Sequence, residues 1–230
     1  FLLAIGFSAL LALSYVLSFA ELSLMLPRSG SVSAYTEAAL GPGLAIVATL
    51  SGYVAVALLG IPAELVLVDT MLEQVAPSLT ATLRYPSLLL LALFCALNLR
   101  GVDLFARLQS ALVAIMFTGL FVIGIIGFTS SGAAAVSTAL TLGALDVRVA
   151  VSLVALAIWG LVGLEFVCPM IGDARNARRD VPRSMLVGLV MIVAVYGLFC
   201  LAGLVMLPAD KLTGATAHMD LALAVFGPQA

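Results

Sequence analysis

This chain has little charge. Of its 230 residues, 10 are Lys or Arg and 12 are Asp or Glu, against 63% hydrophobic and a mean hydropathy of +1.25. A soluble domain has no interior that could hide so much apolar side chain, so the composition reads as an integral membrane protein. The formal net charge of -2 shows no basic excess and gives no basis for a nucleic-acid partner. Histidine is reduced to His218, which falls outside the apolar runs and reads as a solvated loop residue with no metal-ligand spacing around it. Cys95, Cys168 and Cys200 each sit in apolar sequence without a CxxC pair. They read as small hydrophobes, with neither metal nor disulfide assigned. No cofactor is expected. An intramembrane enzyme is disfavoured, because Ser–His, paired-Asp and metal constellations are all lacking.

What the chain does have is length of apolar sequence. Runs fall at 1–24, 43–70, 85–97, 104–128, 149–170 and 185–207. A helical crossing needs about 20 residues, so five runs qualify and the third is short. In lipid such runs are helical, because free backbone groups find no other partner. Charge then orients them. One side carries Arg28, Arg100, Arg107, Arg175, Arg178, Arg179 and Arg183, and the other Arg84, Arg148 and Lys211. That asymmetry puts 26–42, 98–103 and 173–183 in the cytoplasm, with the plasma (inner) membrane as the expected location. Residues 29–40 read as a short interfacial helix stopped by Gly41-Pro42, and 129–146 as an external connection. The chain opens on Phe1 inside an apolar run and closes in polar sequence after Phe226-Gly-Pro. Both ends read as truncations, which makes 1–230 a single incomplete transmembrane domain.

The most informative stretch is Trp159-Gly-Leu-Val-Gly-Leu-Glu165 with Asn176-Ala-Arg-Arg-Asp-Val-Pro-Arg183 after it. A carboxylate at bilayer depth is costly, so its first reading is functional. The adjacent Gly160 and Gly163 can interrupt the helix and free backbone groups for a ligand. They can also simply allow close helix packing. Trp159 lies roughly ten residues past Val149, about 15 Å along a helix, which is deep for an interfacial anchor.

Three stretches resemble the amino acid–polyamine–organocation superfamily, the amino-acid permeases. Phe19-Ala-Glu-Leu with Leu26-Pro-Arg-Ser-Gly-Ser, Tyr35 and Gly41-Pro42 is similar to the end of the family's second helix and the loop beyond. Asn98-Leu-Arg-Gly-Val with Arg107-Leu-Gln109 is similar to the start of its fifth. Gly163-Leu-Glu165 and Asn176–Arg183 are similar to its sixth and the approach to its seventh. The resemblance implies an all-α, LeuT-type inverted-repeat bundle, of which this chain supplies about six helices, the second to the seventh. It also implies secondary transport of amino acids by alternating access. Carbonyls near Ala157, Ile158 and Trp159 would take the substrate's ammonium group, with Gly160, Leu161, Val162 and Gly163 completing the break. Trp159 would pack over the substrate. Ala55, Val56 and Gly60 would lie opposite. These side chains are small or apolar, which favours a neutral substrate, since an unpaired cationic side chain would be expensive there.

Three roles stay open for Glu165: a cap on the second half-helix, a gate, or a proton carrier. Some proton-coupled relatives carry a lysine at the place that falls near Met116, and this run has none. Proton or sodium symport, exchange against a counter-substrate, and export are therefore all compatible with the sequence, as is any oligomeric state. A non-transporting sensor or partner subunit of the same family is the alternative.

Overall fold

The computed structural model describes residues 2–132, 147–172, 174, 176–212 and 216–227. The first helix, α1 (Leu2–Met25), is long enough to cross a bilayer. Its buried positions are Ala4, Ser8, Ala12, Val16 and Ala20, every fourth residue, followed by Ser23. Small residues at that spacing form a shallow ridge that lets a neighbouring helix approach its backbone. Ser8 marks the approach, its Oγ donating to the Val154 carbonyl at 3.3 Å.

After α1 the chain forms α2 (Val32–Leu40), the short helix expected at 29–40, with Tyr35 buried. Gly41 turns the chain at φ 86° and Pro42 starts α3 (Pro42–Thr49). A π-helical turn, Leu50–Val54, joins α3 to α4 (Ala55–Val75). Together they make one apolar span of 34 residues, Pro42–Val75. At 1.5 Å per residue that is about 50 Å, more than a hydrocarbon core of about 30 Å, so the span must tilt or project.

A single turn, α5 (Pro77–Thr82), leads to α6 (Pro86–Leu99). This is the third apolar run. Its 14 residues reach only about 21 Å, short of a full crossing by length alone. Its start is held from α4: Asp69 Oδ1 accepts from the Ser87 N–H at 2.9 Å and Oδ2 from the Ser87 hydroxyl at 2.8 Å. A carboxylate there satisfies a free helix-start N–H and meets the positive end of the dipole.

The longest contact joins α7 (Val102–Ser130) to α9 (Ala177–Met206). Two glycines let them touch. A Cβ on Gly124 would lie 2.9 Å from Leu198 Cγ and 3.2 Å from the Phe199 nitrogen. One on Gly127 would lie 2.9 Å from Ala202 Cβ. Between α7 and α9 comes α8 (Val147–Trp159). Of the expected external connection at 129–146, the first residues extend α7 to Ser130, and 133–146 lie outside the described residues.

Among the described residues, five helical stretches reach crossing length, so the chain is an all-α, multi-pass integral membrane protein. Many large apolar residues face outward, such as Leu59 at 76% and Ile115 at 70% exposure, as lipid-facing side chains do. The buried cluster is compact, with Val16 of α1, Tyr35 of α2, Leu161, Cys168, and Met185 and Leu189 of α9 at its centre.

The C-terminal pieces are α10 (Ala209–Leu212) and α11 (Ala217–Phe226), joined by a 3.0 Å ion pair between Lys211 and Asp220. An exposed pair of this kind contributes about 0–1 kcal/mol. His218 corrects the sequence reading: it lies in α11, not in a loop, and its Nε2 is buried without a partner. Burial lowers its pKa, against the pull of Asp220.

Candidate functional site

The apolar run at 149–170 is one span by composition but two pieces by structure. Helix α8 ends at Trp159. The turn then tightens, with the Leu161 N–H donating to Ile158 O at 2.9 Å and that of Val162 to the same oxygen at 3.0 Å. Gly163 follows at φ +110°, a backbone conformation that side chains rarely adopt. Beyond it the chain continues as a 3-10 helix, Leu164–Gly172, with Pro169 inside. Nine residues is long for this geometry, and such stretches often mark hinges or strained sequence. Pro169 has no N–H to donate to the preceding turn, which weakens the helix there.

Glu165 holds the turn. Its Oε2 accepts from the Gly163 N–H at 2.9 Å. That is a local cap on the second half-helix, built by a half-buried carboxylate. Among the described residues, the carbonyls of Ala157, Gly160 and Val162 accept no backbone hydrogen bond. The Ile158 carbonyl is already engaged by the turn, and Trp159 O takes a longer bond from Val162 at 3.4 Å. The break therefore leaves acceptors free at a helix C-terminus, where the partial charge is negative and an ammonium group is favoured.

One carbonyl of the break is closed from outside. The Tyr15 hydroxyl on α1 donates to Leu161 O at 2.6 Å. Tyr15 also stacks edge-on with Phe19, and Phe19 with Tyr35, at 6.1 Å each. This aromatic row ties α1 and α2 to the break. Tyr15→Phe should keep the ring packing and lose the bond. A destabilisation of about 1 kcal/mol is expected, read as a lower melting temperature in detergent. An unchanged melting temperature would show that the Leu161 carbonyl finds another donor at no cost.

The expected site residues fall in different settings. Ala157 and Ile158 are half-buried, and Trp159 is 60% exposed. Gly160 lies under the Tyr196 ring, 3.4 Å from where its Cβ would be. Leu161 packs into the core at 4% exposure, whereas Val162 faces outward. Ala55 is half-buried just past the π turn, Val56 is exposed, and Gly60 has open space where a side chain would go. The π turn meets the second half of the broken helix through Tyr53 and Phe166, whose ring centroids lie 5.7 Å apart. That ring pair is the link between the two departures from α-helical geometry, while α4, which carries Ala55, Val56 and Gly60, packs chiefly on the π turn, α5 and α6.

Several of these residues have no place in the sequence reading. The small-residue ridge of α1 was visible as Ala4, Ser8, Ala12 and Ala20 at four-residue spacing. Tyr15 sits three residues past Ala12, beside that ridge. Tyr53, Phe166 and the π turn carry no local signal, because each acts only through its partner across the bundle.

No curated protein matches the chain, and no solved structure does. A family model described as amino acid permease matches residues 1–229. With a broken membrane helix at its core and a family match along nearly its whole length, the chain belongs to the amino acid permease family.

Proposed function

We propose that this permease carries small neutral amino acids by alternating access, with the substrate's ammonium group held at the break after Trp159. The observation that carries the reading is the set of unpaired carbonyls at Ala157, Gly160 and Val162 beside an exposed indole. An ammonium group has three donors and no acceptor, which suits free carbonyl oxygens. Ala55, Val56 and Gly60 bring no charge to α4, so a neutral side chain is the compatible one. By the order of its motifs, the chain supplies the second to seventh helices of a two-repeat bundle. Glu165, whose carboxylate bonds the turn, would act as a gate or proton-linked residue by moving the break.

The test is a thermal-shift screen of the permease in detergent against the standard amino acids and a few amines, with Trp159→Ala alongside. A ligand at 100 times its Kd should stabilise the native state by roughly 2.7 kcal/mol. Stabilisation by small neutral amino acids, abolished in Trp159→Ala, is the expected result. Stabilisation by cationic amino acids alone would overturn the neutral-substrate reading and keep the family. No response to any ligand from a folded sample would favour a sensor or partner subunit that does not transport.

A further inference from the structure

Helix α9 is pinned rotationally by its buried residues. Val181, Met185 and Leu189 are 2%, 0% and 4% exposed and point into the core. Arg179 and Arg183 lie two residues from these positions, about 160–200° around the helix, and so on the opposite face. The same outward stripe continues through Val187 and Val190, which are 48% and 67% exposed. It is a face that meets lipid along its apolar length and ends in two guanidinium groups one turn apart.

Depth agrees with this. The apolar part of α9 runs from Met185 to Met206, about the length that fills a hydrocarbon core. Arg183 is two residues before it, about 3 Å out, and Arg179 about 9 Å out. With the reach of an arginine side chain, both heads fall at the level of lipid phosphates.

The local electrostatics leave both charges uncompensated. Among the described residues, neither guanidinium has an ion pair or hydrogen bond, although Asp180 is adjacent. Arg178 and Arg179 stand in the first turn, where the helix dipole is positive and cations are disfavoured. Arg179 and Arg183 are four residues apart, a like-charge spacing that costs further. An external anion at this place relieves both penalties.

We propose that Arg179 and Arg183 form a binding surface for the phosphate headgroup of anionic lipids at the arginine-rich end of α9. A lipid suits it better than a free anion, because the stripe below the arginines is apolar and receives the acyl chains. Positive sequence between 173 and 183 reads first as a topology signal. The orientation of α9 gives two of those arginines a second role.

The experiment is equilibrium binding of labelled phosphatidylglycerol and phosphatidylcholine to the permease in detergent. Phosphatidylglycerol should bind preferentially, and R179Q/R183Q should weaken it roughly 25-fold, which is about 2 kcal/mol at about 1 kcal/mol per arginine. R179K/R183K, which keeps the charge and guards against misfolding, should retain most of the affinity. R100Q/R107Q, which removes two exposed arginines elsewhere, should leave it nearly unchanged. Equal binding of the two lipids would overturn the proposal, as would an equal loss in R100Q/R107Q. Displacement by inorganic phosphate at matched concentration would mark a free-anion site and also overturn it.

Discussion

Gly124→Leu should force α7 away from α9 and destabilise the protein by about 3 kcal/mol, seen as a large drop in melting temperature in detergent. The reason is geometric. A Cβ at Gly124 would meet Leu198 Cγ at 2.9 Å and the Phe199 nitrogen and Leu198 carbonyl carbon at 3.2 and 3.3 Å. The Leu198 side chain could swing aside, but backbone atoms cannot, so the helices must separate. Lipid offers apolar surroundings as good as a neighbouring helix, so helix association here depends on close packing and gains little from hydrophobicity. Losing the close approach therefore loses most of what holds the pair. Gly119→Leu is the control, because a Cβ there meets nothing within 4 Å. If both variants melt together with the parent protein, the α7–α9 contact does not carry stability.

The second large effect is expected at Glu165. Glu165→Ala removes the acceptor for the Gly163 N–H and leaves a half-buried donor unpaired, at about 2 kcal/mol. The turn from Gly160 to Gly163 should then lose definition, and with it the placement of the Ala157 carbonyl. Ligand stabilisation should fall with it. Glu165→Gln behaves differently, because an amide oxygen still accepts that bond. Its stability should stay within about 1 kcal/mol of the parent. The pair of variants also separates the roles of this carboxylate. If Glu165 is a cap alone, the glutamine variant in vesicles keeps uptake and its pH dependence. If it carries a proton, the variant keeps binding and loses the pH dependence. Glutamine and alanine variants of equal stability would remove Glu165 from the cap.

Much of the broken helix was legible beforehand. Gly160, Gly163 and Glu165 in one apolar run announced an interruption, and the structure ends the helix at Trp159. The short helix before Gly41-Pro42 was equally legible, because a proline after a glycine stops one helix and starts another. The boundary of α9 was less so. It begins at Ala177, eight residues before the apolar run, because polarity marks where a helix meets the bilayer and not where its hydrogen bonds begin. His218 departs from expectation for a related reason: a polar residue outside the apolar runs reads as loop, yet it lies in α11 with its Nε2 buried.

Sequence by itself determined that this is a helical membrane protein, where its long helices run, where one of them breaks and which family it belongs to. These are consequences of length, apolarity and local backbone chemistry, and they act within a few residues. Tertiary structure alone decided which face of each helix is buried. The spans are apolar all round, so hydrophobicity cannot tell a neighbour from a lipid. Packing chooses instead, through the small residues of α1, the glycines of α7, and the reach of Tyr15 to a carbonyl 146 positions along the chain.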